Sequence, residues 1–576
     1  MNAIINRLIV CLAVAVLPFC LHAQEPPQAR PNFLLLVADD LAFTDLGAFG
    51  GEIDTPNLNA LAARGVKLTS FYTAPTCSPT RAMLLSGEDA HKVGLGMMAE
   101  ALPMIPGLGN NPGYEGYLDP GVVTIADRLA GAGYRTLMTG KWHLGLTPEF
   151  SPRARGFQRS LVLLQGGADH FGAYQTGSGQ SGEGGVTYQE DGAPTRYPPG
   201  VFSGDFFTAK MLEYLQRDSA DKRPFFAYLA FTEPHWPLQA PDNLIDKYKG
   251  RYDAGPTALR EARFARMKEL GLLDETLLST RPGTITAWDS LSAQQRAVAA
   301  RAMEVYAAMV DNLDQNVGRV LAALAQSGEL DNTVIIFMSD NGAEGLEQDA
   351  LNGILTHMGI APDILSGVVA ANTDPATMGR PGSYVTYGPD WAQASTGPFR
   401  LFKGTTNEGG IRSPAFVTGP GIAGGRIYSG AVSVRDIMPT LLELAGEGES
   451  AAGAAAPAAV IPTGISWVPM LDADPTTTIA PHTVLGWELF FRRGLRRDHW
   501  KAVFSQLAPT LMSRGLPGAA PPQWRLYDLS VDPGEEHDLA SSEPEILEGL
   551  VADWNRYAAA NGVVAIPKRP PANVGK

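Results

Sequence analysis

The chain has 576 residues, 45% of them hydrophobic and 18% charged, with 63 glycines and 44 prolines. That length exceeds one ordinary core, so two domains or one large domain with a satellite are expected, and nothing in the composition points to disorder or collagen. A formal charge of −15 opposes non-specific binding of nucleic acid or anionic membrane, which needs the opposite sign, but leaves room for an anionic small substrate if the site itself gathers cations.

The first feature along the chain is Arg7 followed by 14 apolar residues, 8–21, and then Leu21-His22-Ala23. The run is too short to span a bilayer comfortably. Its flanks suit a signal peptide over residues 1–23, the alternative being an uncleaved anchor. Export to the periplasm or full secretion is therefore expected, with no membrane attachment after cleavage. Removal of the leader takes Cys11 and Cys20 with it and leaves Cys77 alone, unable to form an internal disulfide.

Four apolar runs read as buried strands, and each is followed by polar or cationic residues. Residues 32–38 end at Asp39-Asp40, 135–138 precede Gly140-Lys141-Trp142-His143, 225–231 lead to Pro234-His235, and 333–338 end at Ser339-Asp340-Asn341-Gly342. Thr55-Pro56 starts a helix, and 300–326 carries Tyr306, Met309, Val310, Leu313, Val317 and Leu324 at helical spacing. Strands alternating with helices predict an α/β sheet covered on its faces, with ligands beyond the carboxyl ends of its strands. Residues 344–394, rich in Gly, Asp and Thr, read as a large loop insertion. An Ala-, Gly- and Glu-rich stretch, 446–460, reads as a linker between a catalytic unit (28–445) and a small C-terminal α+β domain (461–576). In the latter, 483–490, 501–504 and 524–529 read as strands of an antiparallel sheet and 543–557 as a helix.

In Cys77-Ser78-Pro79-Thr80-Arg81, Ser78 can cap a helix whose first residue is Pro79. Cys77 then sits at the helix mouth, where backbone N–H groups favour an anion. Alone, the run reads equally as an inert cysteine before an ordinary Ser-Pro cap. Asp39 and Asp40 repel each other without a cation. With Asp340 and Asn341 they form an all-oxygen set suited to Ca²⁺ or Mg²⁺, although each pair alone also reads as a solvated turn. Lys141, His143, His235 and Lys403 add charge and proton carriers. Residues 177–182 match a dinucleotide fingerprint literally, but follow no strand and start no helix, so that reading is rejected.

Taken together and in order, Ala38-Asp39-Asp40-Leu41, Thr55-Pro56-Asn57-Leu58, Cys77-Ser78-Pro79-Thr80-Arg81, Gly140-Lys141-Trp142-His143-Leu144-Gly145, Pro234-His235-Trp236-Pro237 and Ser339-Asp340-Asn341-Gly342 resemble the motifs of the type I, formylglycine-dependent sulfatases. Trp487-Glu488-Leu489-Phe490 and Tyr527-Asp528-Leu529 are similar to the C-terminal part of long bacterial arylsulfatases of the Pseudomonas type. The resemblance implies an alkaline-phosphatase-like large mixed sheet flanked by helices, plus the small C-terminal sheet domain. It implies hydrolysis of aryl, or alkyl, sulfate monoesters, with Cys77 oxidised to formylglycine by a formylglycine-generating enzyme. One Ca²⁺ would be held by Asp39, Asp40, Asp340 and Asn341. Arg81 and Lys141 would steady the nucleophile and the metal end of the sulfate, Lys141, His235 and Lys403 would bind sulfate oxygens, and His143 would contact the formylglycine hydroxyl. Ala42 departs from the glycine common at that position in the family. Two rivals stand beside this reading. One is a phosphodiesterase or phosphonate monoester hydrolase of the same superfamily, against whose two-zinc members Asn341 replaces an expected histidine. The other is a non-catalytic anion-binding protein with an unmodified Cys77.

Overall fold

The structure, a computed structural model, describes residues 30–172, 186–217, 220–277, 285–357, 362–447, 462–472, 482–504 and 523–565. The leader 1–23, the glycine-rich 177–182 and all but the first two residues of the linker lie outside them.

The strands are β1 (Asn32–Ala38), β2 (Val66–Leu68), β3 (Phe71–Tyr72), β4 (Arg135–Lys141), β5 (Arg159–Leu163), β6 (Tyr188–Glu190), β7 (Ala193–Thr195), β8 (Phe225–Ala230), β9 (Thr333–Ser339), β10 (Ala415–Thr418), β11 (Arg426–Tyr428), β12 (Val432–Ser433), β13 (Val484–Leu489), β14 (Arg492–Arg497), β15 (Trp500–Phe504) and β16 (Trp524–Asp528). Ten of them form one mixed sheet in the order β11-β2-β10-β9-β1-β8-β4-β5-β6-β7. Its centre, β9-β1-β8-β4-β5, is parallel, and β10 runs antiparallel to β9.

Every residue of β1 is buried, as a strand covered on both faces requires. Its period of two divides the core. Leu34 and Leu36 belong to one apolar layer, and Phe33, Leu35 and Val37 to the other. The first layer is closed by the 35-residue helix Ala293–Ser327, started by a Ser292–Gln295 capping box and stopped at Gly328 (φ 75°). Met303, Tyr306, Met309, Val310, Leu313, Val317 and Leu324 form its buried stripe. The second layer is covered by the helices Cys77–Ser86, Ile125–Gly131 and Ile437–Leu444.

Two local expectations are corrected. The helix expected to start at Pro79 begins at Cys77 with Thr76 as N-cap, and the hydroxyl of Ser78 is buried without a hydrogen-bond partner among the described residues. The expected loop insertion at 344–394 carries the helices Gln348–His357 and Pro362–Thr373, with Gly388–Ser395 at its end. Alanine, leucine and isoleucine within it supply the helix formers that its Gly and Thr content obscures.

Beyond the large sheet, β13-β14-β15-β16 form an antiparallel meander on which the helix Pro544–Asn561 packs through Leu550 and Trp554. β14, the sequence Arg-Arg-Gly-Leu-Arg-Arg, was not among the expected strands. Its four arginines carry no apolar alternation, but Leu495 faces the core and Arg493 lays its guanidinium over Trp554, 4.6 Å from the ring centroid. Among the described residues no helix is long and apolar enough to cross a membrane.

The meander is tied to the large sheet's loops by buried His91. Its Nδ1 is 2.9 Å from Asp89 and its Nε2 3.1 Å from Glu488 of β13. Burial alone would lower this imidazole's pKa. The hydrogen bonds and charges of Asp89 and Glu488 more than reverse that and push it up to about 10. A group raised on folding contributes stability fully present below its unfolded pKa of about 6.5, and loses it as pH rises through about 10. Urea midpoints should therefore fall between pH 7 and 10, and His91→Gln should flatten that slope; an unchanged slope would contradict the pairing.

Candidate active site

The carboxyl ends of β9, β1, β8 and β4 deliver Asp340-Asn341, Asp39-Asp40, His235 and Lys141 to one edge of the sheet. Helix Cys77–Ser86 aims its N-terminus at the same point, and the loop after β4 adds His143. Two of these residues have left-handed backbones, Asp40 (φ 69°) and His143 (φ 61°), conformations that Asp and His adopt more readily than most residues. Gly140 lets β4 approach β8 closely, since a Cβ there would lie 1.7 Å from the carbonyl oxygen of Ala230.

Cys77 is buried, and its Sγ lies 3.4 Å from Asp39 Oδ1 and 3.9 Å from Asp40 Oδ1. Burial first, and then Asp340, push its thiol well above the ordinary cysteine range, which keeps it protonated and a weak nucleophile. Arg81, one turn along the same helix, donates from Nε (3.0 Å) and Nη2 (2.8 Å) to Asp340 Oδ2, and from Nη1 to the Lys141 carbonyl at 2.9 Å. Lys141 Nζ sits 2.8 and 2.7 Å from the two oxygens of Asp39. Lys403 Nζ pairs with Asp40 at 2.8 Å and with Glu344 at 3.2 Å. Burial alone would depress its ammonium, but Asp40 and the neighbouring acidic groups reverse this and hold it well above the usual lysine range. Three cations thus face four carboxylates, Asp39, Asp40, Asp340 and Glu344, in a water-poor centre, where each interaction is strengthened.

His235 Nδ1 lies 2.6 Å from the carbonyl of Trp236. A carbonyl only accepts, so Nδ1 carries the proton and Nε2, 3.6 Å from Asp40 Oδ2, presents its lone pair to the centre. Burial pushes this ring's pKa well down despite Asp40. His143 turns its Nε2 to Glu100 at 2.9 Å. Gly166 and Gly167 pass between the two histidines. A Cβ on Gly166 would lie 2.6 Å from His143 Cε1, and one on Gly167 would lie 3.0 Å from His235 Cε1. Contacts at this edge bring together nine of the ten residues expected from the sequence, while His143, on the loop after β4, is bonded to Glu100.

The donor set fits a cation. Ligand atoms of Asp39, Asp40, Cys77 and His235 all lie within 4.8 Å of one another. Asn341 donates from Nδ2 to Asp40 Oδ1 (2.6 Å) and to the Gly342 carbonyl (2.9 Å), which leaves its buried Oδ1 with no partner among the described residues. Burial pushes the Asp39 carboxyl up to about 8, more than Lys141 pulls it down, as expected of a carboxylate that calls for further positive charge. Oxygen donors of this kind suit a hard divalent ion.

Glu100, Glu344 and the Gly166-Gly167 pair escaped the sequence reading. Glu344 stands three residues beyond Asn341 and was accessible from that spacing; Glu100 lies in a methionine-rich loop with no motif around it.

Comparison with known proteins agrees with this geometry. The sulfatase family profile matches residues 31–447. The chain is 42% identical over 555 residues to an uncharacterised sulfatase of Schizosaccharomyces pombe, covering 94% of this chain and 96% of that one. It is 36% identical over 431 residues to the arylsulfatase of Klebsiella aerogenes, covering 74% and 88%. A crystal structure of a Pseudoalteromonas sulfatase superposes with a TM-score of 0.60 at 22% identity, covering 92% of this chain and 90% of the other, a likeness of fold. With the family profile matched over residues 31–447 and relatives this similar over most of their length, the chain belongs to the sulfatase family and is a sulfuric ester hydrolase.

Proposed function

We propose that the chain is an exported arylsulfatase-type enzyme that cleaves aryl, or alkyl, sulfate monoesters through formylglycine formed from Cys77, with Ca²⁺ held by Asp39, Asp40, Asp340 and Asn341. The observation that carries this reading is the convergence of a protonated, buried Cys77 on two carboxylates at the N-terminus of a helix, with Lys141 and Lys403 beside them. A thiol so placed is a poor nucleophile, whereas an aldehyde hydrate puts two hydroxyls on the same carbon and completes an all-oxygen set. When bound, the ion supplies positive charge for the sulfuryl oxygens, and it would tip the balance of four carboxylates and three cations toward an anionic ester.

One hydroxyl of residue 77 passes its proton to the adjacent Asp39 carboxylate and attacks sulfur, the new S–O bond forming as the bond from sulfur to the alcohol oxygen breaks, which leaves sulfate on the enzyme. Arg81 and Lys141 hold the nucleophile's end of the site, while Lys141 and Lys403 stabilise charge on the sulfuryl oxygens. His235 takes a proton from solvent onto Nε2 when the anionic ester binds beside it, and donates that proton to the leaving oxygen. His143 then takes the proton of the second hydroxyl, the C=O bond re-forms, and sulfate leaves. A serine or cysteine has no second hydroxyl and would stop after one transfer. We read 1–23 as the export leader, 28–445 as the catalytic unit and 461–576 as the small domain, with a formylglycine-generating enzyme as the maturation partner.

Turnover on a matched aryl sulfate and aryl phosphate tests the reading against a phosphodiesterase or phosphonate monoester hydrolase. A higher kcat/KM on the sulfate is expected, together with slow loss of activity under chelation and recovery on adding Ca²⁺. Faster turnover of the phosphate, or restoration by Zn²⁺ alone, would overturn it.

A further inference from the structure

The ring of His143 is held by a side chain outside every motif above. Both carboxylate oxygens of Glu100 approach His143 Nε2, at 2.9 and 3.2 Å. A carboxylate only accepts, so Nε2 carries a proton and the neutral ring presents Nδ1 as a lone pair. That Nδ1 is buried and has no hydrogen-bond partner among the described residues. The ring's pose is over-determined. The backbone of His143 is left-handed, its N–H bonds the Leu164 carbonyl at 3.2 Å, and Gly166 lies against both partners, so that a Cβ there would be 2.6 Å from His143 Cε1 and 2.8 Å from Glu100 Oε1. The imidazole side chain is 5% exposed and the Glu100 side chain 48% exposed, which puts the carboxylate between the ring and solvent. Burial lowers the ring's pKa, Glu100 opposes this, and Lys141 and Arg81 add to the lowering, so the resting ring is a neutral acceptor.

We infer that Glu100 is the positioning carboxylate of His143, fixing Nε2 as the protonated nitrogen and Nδ1 as the base that releases sulfate; this rests on the formylglycine reading. In that step the proton of the second hydroxyl passes to Nδ1. The electron pair of that O–H bond forms the C=O bond, and the carbon–oxygen bond to sulfate breaks, with sulfate taking its pair. Glu100 stays ionised beside the imidazolium and nothing is oxidised or reduced. A carboxylate that orients a histidine and steadies its cation serves the same purpose in hydrolytic triads and behind metal-bound histidines.

The test uses full-length, modified enzyme, with the formylglycine content of each preparation measured by peptide mass, and an activated aryl sulfate. Glu100→Gln, an isosteric change at a half-exposed position, should lower kcat roughly 10- to 100-fold. It should leave the first chemical step nearly intact, giving a burst of about one equivalent of phenol per modified site and accumulation of the peptide carrying sulfated residue 77. Glu100→Ala should behave alike. Wild-type kcat in Glu100→Gln, or a fall in kcat with neither burst nor sulfated peptide, would overturn the inference. His143→Ala, run alongside, separates the two levels. Wild-type turnover there would sink the assignment of His143 as base. A burst in His143→Ala beside wild-type behaviour in Glu100→Gln would sink only the role given to Glu100.

Discussion

Cys77→Ala is expected to lose turnover by roughly five to six orders of magnitude, the scale seen when a covalent nucleophile is removed. No other group in the site can replace it. The neighbouring Ser78 hydroxyl would offer a single oxygen, and Asp39 and Asp40 are committed to Lys141 and Lys403. The fold should survive. Cys77 is 1% exposed at the first turn of its helix, so the change deletes one buried atom and costs about 1 kcal/mol. Circular dichroism and the thermal midpoint should therefore stay close to wild type while activity disappears. Retention of more than a few per cent of turnover would remove residue 77 from the chemistry.

The second large effect is on stability, and it lies 98 residues beyond Lys403, at Lys501 of β15. Lys501 is fully buried, with Nζ 2.7 Å from Glu408 and 3.2 Å from Glu535. Burial pushes the Glu535 carboxyl up, while at Glu408 the charges of Lys501 and Arg412 overcome burial and hold it down at about 2. Glu535 also accepts from the Asn407 side chain and the Glu408 N–H, both at 3.0 Å, and Arg492 donates to the Gly404 carbonyl. The small sheet thus grips the loop that carries Lys403. Lys501→Ala would leave Glu535 buried without its cation and Glu408 with Arg412 alone, a loss of about 3–5 kcal/mol. Because the two sheets need not unfold together, the expected reading is a shift of the first urea transition to lower concentration. An unmoved transition would show that the buried cation is not needed.

How much of this was legible in the sequence follows from the kind of signal each part leaves. β1 and β9 are covered on both faces, so they appear as unbroken apolar runs, and the residues just beyond them, Asp39-Asp40 and Asp340-Asn341, could be placed at the strand ends. The long helix was legible because one stripe of it is apolar over many turns. β14 was not, because Leu495 is its single apolar side chain, and Arg493 and Arg492 meet Trp554 and the Gly404 carbonyl, partners distant in sequence. Glu100 was hidden for the same reason, since its bond to His143 spans 43 residues and no periodicity marks it. The position of the helix start was misread because Ser-Pro is a strong local cap signal, whereas here the tertiary site draws the helix two residues further back, to Cys77.

The central claim is chemical, and mass analysis of the peptide carrying residue 77, from enzyme made in a host that matures sulfatases, tests it most directly. Formylglycine or its hydrate at that position, in proportion to specific activity across preparations, is the predicted result. An unmodified cysteine in fully active enzyme would contradict it.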